Sequence, residues 1–388
     1  MALKFKLSQL NTLAFLAVVY IAVGAYLHSK YGVKVVNDSP RYIGYAQNLN
    51  SGFYIDPLNI WYFTYVVFVY VHQFFTESLV PIVVSQYLLG LVAIFALHQA
   101  TKKLTGHNVV AMIACLLFIF YPDNLFWHSY ILTESIYSSL LCISLYFIIK
   151  YIENKSTKNL ITLLVILVLC FFAKPTSPAL ILALITPIAI TFYSNPSYRA
   201  FKLVGSVLAF CLVLFLANEM LTMHRVMLIY SKGDIIFAMH QIPSNPFSQM
   251  LIIEPPADLY IPDEEGPLLY NMTSFIFNNF FFWVKLVAAK FLVFISHVRP
   301  YWSWGHIVAS IVMIWPSYYF TAIAIRRKLI NSTFLSALFV YALIHSLIVS
   351  GTWVDWDARF FVPLYPALAI LSALGIHNTL IRKWNSVG

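Results

Sequence analysis

"LVPIVVSQYLLGLVAIFALHQATKK", residues 79–103, is an apolar run that stops at a pair of lysines. A helix needs about 20 apolar residues to cross about 30 Å of hydrocarbon, and residues 79–100 supply that length. Lys102 and Lys103 follow at once, and short cytoplasmic loops collect Lys and Arg. One stretch thus predicts a membrane span and identifies its cytoplasmic end.

The same pattern returns along the chain. Its 388 residues are 61% hydrophobic and only 10% charged, with a mean hydropathy of +0.79. A soluble domain is about half apolar and about a quarter charged, so a soluble enzyme is excluded. Long apolar runs, rather than short alternating ones, imply helices and not a barrel. The expected fold is an all-α polytopic membrane protein forming a single integral membrane domain over residues 1–388. About ten spans are predicted, at 9–28, 79–100, 107–121, 131–150, 159–173, 177–193, 201–221, 304–325, 332–350 and 361–381. The first follows Lys4 and Lys6 without a small-x-small cleavage site, and is read as an uncleaved span.

Charge placement orients these spans. The turns assigned to the cytoplasm hold Lys4/Lys6, Lys102/Lys103, Lys150/Lys155/Lys158, Arg199/Lys202, Arg326/Arg327/Lys328 and Arg382/Lys383, which is 14 of the 24 Lys and Arg. Of the 15 acids, only Glu153 falls there. This bias accounts for the net charge of +9 without a nucleic-acid partner. Two further apolar segments, 57–75 and about 275–298, would invert the pattern if either one crossed. Both are expected as helices in the outer interface, the second because Lys285 and Lys290 lie in its middle; a central charge costs about 2.5–3.5 kcal/mol on insertion scales. The outer face then carries a first loop (29–78), a short second loop (122–130), a large loop (222–303) containing "EPPADLYIPDEEGPLLYN", and a last short loop, "TWVDWDARFF".

Candidate chemistry gathers on that face. In "VVNDSPRYIGYAQNL", residues 35–49, Ser39 is suited to capping a helix and Pro40 to its first turn. Asp38 reads either as a helix-start acid or as a functional carboxylate. Arg41 falls on one helix face with Tyr45 and Asn48, a surface suited to a sugar or a phosphate. Glu134, in "ILTES", opens a span inward. It reads as an acid favoured by the positive helix end or as a functional group placed just inside an apolar segment. Asp123 reads as a turn or cap residue.

Three cations stand against the charge rule. Lys174, in "AKPT", lies between two spans on the outer side with no acid close in sequence. Arg359 sits near the outer end of the last span, with Asp355 and Asp357 as its nearest acids. Arg299 adjoins the outer interface and reads as a third phosphate contact or as a headgroup anchor. A bound phosphate would satisfy such cations, and an arginine can grip it with two parallel bonds. His72, His128 and His297 face the same side and read as acceptor contacts or as packing residues.

Other chemistries lack their signatures. The 11 histidines form no HExxH or other helical metal pair, so no metal or cofactor is expected. Cys115, Cys142, Cys170 and Cys211 lie inside apolar runs and read as helix-packing residues. There is no Walker loop, dinucleotide glycine fingerprint or nucleophile elbow.

Taken in order, four motifs resemble the GT-C class of membrane glycosyltransferases. They are the first-loop acid ahead of "RYIGYAQNLNSG" (41–52), "YP" (121–122) ahead of "ILTES" (131–135), "AKPT" (173–176) and "RFFVPLYPALAILSALG" (359–375). The protein O-mannosyltransferase and aminoarabinose-transferase type is the branch they resemble most. The resemblance implies a GT-C-like fold and transfer of a sugar from a polyprenyl-phosphate carrier to a lipid, glycan or protein acceptor at the outer face. It implies that Asp38 is the general base, that Glu134 helps line the site, and that Lys174 and Arg359 hold the carrier phosphate. Two departures stand out. Many relatives pair two acids in the first loop, whereas Asp38 is followed by Ser39. Many carry a soluble C-terminal domain, whereas this chain stops just after the last span, so acceptor recognition is expected from the outer loops, chiefly 222–303.

The residues suit that chemistry without the likeness. A sugar on phosphate has a good leaving group, and its transfer needs a carboxylate for the acceptor proton and cations for the departing phosphate. The alternatives are a lipid-linked glycan polymerase or ligase, a lipid or glycan flippase or transporter, and a structural membrane subunit. A transporter predicts charges deep within spans, whereas here they cluster at membrane ends. Membrane lipids are expected partners and a bacterial inner membrane the expected location, with the site on the periplasmic or outer side.

Overall fold

The computed structural model describes residues 9–194, 199–224, 230–263 and 266–381. Lys4, Lys6, Arg382 and Lys383 of the expected cytoplasmic set lie outside these residues, as do Glu264 and Glu265 of the acidic outer loop.

The described chain is helical, with isolated bridges and no strand among the described residues. A helix stands at each of the ten expected span positions. They are α1 (Gln9–Tyr31), α4 (Val80–Thr105), α5 (Asn108–Phe120), α7 (Glu134–Glu153), α8 (Thr157–Phe171), α9 (Pro178–Ser194), α10 (Arg199–His224), α13 (Trp304–Arg326), α14 (Ser332–Gly351) and α15 (Tyr365–Ile376). Between them run α2 (Ser39–Asn48), α3 (Phe63–Gln73), α6 (Pro122–Phe126), α11 (Leu268–Asn278) and α12 (Phe280–Ser296).

By length and apolarity five described helices qualify as spans, and up to seven if each of two bent pairs counts as one, so the expected count of ten is not confirmed. The shortfall has a physical reason. Several of these helices, such as α5 and α8, are too short to cross alone. The chain breaks beyond α5 at Pro122, with a bend of 57°, because proline cannot donate to a continuing helix. Between α11 and α12 the bend is 106°, at Asn279. There the Asn279 amide donates to Tyr260 O and Phe275 O and its side-chain oxygen accepts from Tyr260 N–H. The expected interfacial segment 275–298 is thus two helices meeting near a right angle.

The chain divides into two compact units: residues 1–177, 308–332 and 362–388, and residues 178–307 and 333–361. In the first, α4 is the central helix. Its Gln86 is fully buried and accepts from Tyr65 Oη at 2.9 Å while donating to His128 O and Tyr130 O at 2.7 and 2.9 Å. One amide thereby ties α3 to residues 128–130, just ahead of α7. On the opposite end Lys103 pairs with Glu153, the one acid expected among the cytoplasmic lysines. In the second unit, Tyr230, Ile235, Met272, Phe275 and Leu286 form an apolar core. Gly233, at φ +70°, lets residues 233–235 pass against Ile253 and Leu251, and Phe237 N–H reaches Val354 O.

One tight helix contact in the first unit is at Gly90 of α4. A side-chain carbon there would overlap the Tyr20 hydroxyl and the His128 ring. Gly90→Ala is therefore expected to lower stability by about 1–3 kcal/mol, the usual cost of overpacking. Gly44→Ala, where nothing lies within 4 Å, is expected to be neutral. Thermal unfolding in detergent checks both, and equal midpoints would refute the close packing.

Candidate active site

The first loop reaches its place through main-chain bonds. Lys34 N–H donates to Ser129 O and Ile131 N–H donates to Lys34 O, both at 2.9 Å. This short parallel bridge joins the segment after α1 to the segment before α7. Four residues beyond Lys34 comes Asp38, and three beyond Ile131 comes Glu134, so the bridge sets both acids in one region of the first unit.

Helix α2 starts as its proline predicts, but its capping differs from expectation. Ser39 is the first helical residue, and its hydroxyl accepts from Val36 N–H at 2.9 Å instead of capping the helix. Asp38 occupies the cap position with helical dihedrals (φ −82°, ψ −21°), and its carboxylate makes no capping bond. The carboxylate faces Arg41 instead, 3.6 Å from Nη2. Asp38 is therefore not explained as a helix cap.

Arg41 is built into its surroundings. Its Nη1 donates to Asn59 Oδ1 at 3.3 Å and its Nη2 to Tyr42 Oη at 3.1 Å. Its guanidinium carbon lies 4.7 Å from the ring centroids of both Tyr42 and Tyr62, close enough for attraction to the ring faces. Burial raises the Tyr42 phenol well above its usual value. Tyr62, Glu134 and Asp38 push it the same way, and Arg41 opposes them. The phenol stays un-ionised, and it feels both acids at once. Tyr45 is buried and donates to Tyr54 O, and Asn48 donates to Tyr54 Oη. This end of α2 is anchored to its own loop.

Glu134 and Lys174 meet. Lys174 Nζ lies 2.9 Å from Glu134 Oε1, and the two side chains are 1% and 3% exposed. Lys174, which has no acid near it in sequence, finds one 40 residues away. Glu134 stands in the first turn of α7 as expected. Beside the pair, Thr133 Oγ1 donates to Ala173 O at 2.6 Å. Thr64 adds a link from α3, its N–H donating to Phe172 O and its hydroxyl to Leu169 O. Two adjacent residues on each side are thus fastened between the start of α7 and the end of α8.

The remaining candidates separate into packing and surface. His72 joins Phe68 O to Ser85 Oγ, at 2.7 Å each. His128 is buried against Tyr20 and Tyr87, and His297 against Trp302 and Phe361. Asp123 is buried in α6. In the second unit, Arg299 is fully buried. It donates to Asp355 O through Nε and Nη2 and to Val293 O and Val298 O through Nη1, so main-chain carbonyls engage its fork. Arg359 is partly exposed and lies 3.7 Å from Asp357 Oδ1, while its N–H donates to Asp355 Oδ2 at 2.6 Å. Burial opposes the charge on Asp355. Hydrogen bonding with Asp357 and the charges of Arg299 and Arg359 outweigh it and hold the carboxyl below its usual range. Lys290, expected to avoid the bilayer centre, is buried with its ammonium on Thr352 O (2.9 Å) and over the Tyr230 ring.

Sequence reasoning missed Asn59, Tyr62 and the Asp234–His240 pair, in which His240 N–H and Nδ1 both bond the buried Asp234 carboxylate. Asn59 had a readable local signal. Asp56 Oδ1 accepts from Leu58 N–H and Asn59 N–H, the turn-forming habit of Asp ahead of a helical turn. No group of three or more His, Cys, Asp or Glu among the described residues is placed to hold a metal ion.

Against this geometry, comparison with known proteins adds the following. The family described as dolichyl-phosphate-mannose-protein mannosyltransferase matches residues 63–220, less than half of the chain, including Glu134 and Lys174 but not Asp38. The archaeal oligosaccharyltransferase AglB from Archaeoglobus fulgidus, solved with an inhibitory peptide and a dolichol-phosphate, is similar over 100% of this chain with a TM-score of 0.52 and 13% identity. The apo form of the Archaeoglobus fulgidus oligosaccharyltransferase aligns with a TM-score of 0.49 and 14% identity. The chain spans about half the length of each, 52% and 53%. No curated protein matches the chain. The fold is GT-C-like.

The buried pair makes a direct prediction. Removing one partner leaves an uncompensated buried charge, so Glu134→Gln or Lys174→Met alone is expected to cost about 3–5 kcal/mol. The double substitution Glu134→Gln/Lys174→Met is expected to cost clearly less than the two singles summed. Unfolding of the purified variants measures this, and additive or negligible losses would show that the two charges do not depend on each other.

Proposed function

We propose that the protein transfers a sugar from a polyprenyl-phosphate carrier to a hydroxyl-bearing acceptor at the outer face of a membrane, with Asp38 as the general base. The observation that carries this reading is the Asp38 carboxylate, which makes no capping bond to its helix and is held by Arg41 beside a tyrosine that also feels Glu134. A carboxylate placed in that way suits the reaction. It takes the acceptor hydroxyl proton as the new glycosidic bond forms, the bond from the anomeric carbon to phosphate oxygen breaks, and the carrier leaves as its phosphate. The matched family's description and the dolichol-phosphate in the oligosaccharyltransferase complex support a lipid-linked donor.

In this reading Glu134 and Lys174 form the wall of the site. Lys174 supplies positive charge in a buried setting, where charge acts more strongly than in water, and Glu134 balances it when no phosphate is bound. In the second unit Arg359, partly exposed beside Asp357, is the candidate contact for an anionic group. Arg299, engaged by carbonyls, braces the 355–359 loop. The acceptor is a lipid, glycan or protein met by the outer loops, and a bacterial inner membrane with a periplasmic site fits the charge bias of the loops.

The deciding experiment is an envelope-glycan mass profile of the native host. Deletion of the gene is expected to remove one sugar-sized mass, wild type to restore it, and Asp38→Asn at equal expression to leave it absent. Full restoration by Asp38→Asn would remove Asp38 from the chemistry. Sidedness is checked in a cysteine-free background. A cysteine at the exposed position Asn50 is expected to react with an impermeant maleimide in intact cells, and one at Asn154 only after permeabilisation. The reverse pattern would move the site to the inner face.

A further inference from the structure

We infer that Arg41 is a positioning residue for the Asp38 carboxylate, and that Asn59 holds Arg41 to that task. This deepens the reading above and rests on Asp38 being the base. It changes the role expected from sequence, in which Arg41 grips the substrate.

The geometry is specific. A phosphate-gripping arginine must present its fork of donors to the ligand. Here Nη1 is directed to Asn59 Oδ1, and Nη2 to Tyr42 Oη and the Asp38 carboxylate. Tyr42 and Tyr62 approach the guanidinium with their rings, each 4.7 Å from its carbon. Only 22% of the side chain is exposed. A phosphate at this place would also meet the charge of Asp38, 3.6 Å from Nη2. The arrangement holds a carboxylate in place and is poorly suited to receiving an anion.

Support continues outward from Arg41. Asn59 is 5% exposed, and its N–H donates to Asp56 Oδ1 at 2.6 Å. It opens the helical turn Asn59–Tyr62, so the residue that bonds the guanidinium and one ring beside it come from the same turn. Asp56, Asn59 and Tyr62 therefore fix Arg41 from one side, and Tyr42 fixes it from its own helix. Arg41 in turn sits three residues from Asp38, with no other side-chain cap drawing that carboxylate onto the helix. A general base must hold its oxygen within hydrogen-bond reach of the proton it takes, and a displacement of about 1 Å can cost about a hundredfold in rate. Lysine does not reproduce the fork, because a single ammonium on a flexible stem lacks the two separate nitrogens that here face Asn59 on one side and Tyr42 with Asp38 on the other.

The test separates maximal rate from donor affinity. Full-length wild type, Asp38→Asn, Arg41→Lys and Asn59→Ala are expressed at equal level in host cells lacking the gene. Their membranes are titrated with the host's own polyprenyl-phosphate-sugar lipid fraction, and product is followed by mass. Arg41→Lys and Asn59→Ala are expected to lower the maximal rate about tenfold or more while the half-saturating donor level stays within about twofold, the sign of an interaction used in the transition state. Asn59→Ala leaves every charge in place, and covers the case in which Arg41→Lys fails to accumulate. If instead either variant raises the half-saturating donor level about tenfold with the maximal rate kept, Arg41 is a donor ligand and the inference falls, while the transferase reading stands. Wild-type maximal rate and affinity in Asn59→Ala also overturns it. If Asp38→Asn turns over like wild type, the base assignment itself is wrong and the inference falls with it.

Discussion

A carboxylate and an ammonium 2.9 Å apart, both almost removed from solvent, are the constraint on which the first unit depends. Each charge alone would be costly to bury, and together they are tolerable only while they stay in contact. The pair therefore forces residue 134, at the start of α7, to remain against residue 174, just past the end of α8. The Thr133–Ala173 bond repeats the connection one residue earlier. With Thr64 bonded to Leu169 and Phe172, these ends of α3, α7 and α8 become one piece, and rigid elements hold a reacting group more closely than a free loop does.

The first loop is laid onto that piece by a different kind of bond. Its backbone pairs at Lys34 with residues 129–131, and Gln86 holds the same second loop from below through His128 and Tyr130. Aromatic rings then fill the space around Arg41, with Tyr42 lying 5.1 Å from Tyr65 and 5.4 Å from Tyr62. Polar groups sit among rings there because each has a named partner. An unpartnered guanidinium or amide in such surroundings would carry a desolvation penalty. Part of the aromatic content of the chain, 17%, thus packs around Arg41.

Several readings of single residues changed on folding, and each change has a cause. Ser39 was a plausible cap by type, yet Val36 N–H lies within its reach and takes its hydroxyl. Local hydroxyl bonds compete with capping in this way. Arg299 looked like a surface cation beside an aromatic "PYW" run, and its burial follows from carbonyls at 293, 298 and 355 that satisfy its donors. Lys174 looked partnerless because sequence distance hides contacts between helix ends. Its partner is 40 residues away.

The sequence by itself determined the class of fold. Apolar run length and the placement of Lys and Arg depend on transfer of side chains between water and hydrocarbon, a property each residue carries wherever it sits. That is why a helix stands at every predicted span position, and why Asp38, Glu134, Lys174 and Arg359 were recognisable as charges in unusual places. Tertiary structure alone decided which distant groups meet: Lys174 with Glu134, and Arg41 with Asn59 and Tyr62. It also decided where helices break and how sharply, as at Asn279. Pairing energies depend on distance and on the loss of water between specific groups, and neither exists until distant segments have been brought together.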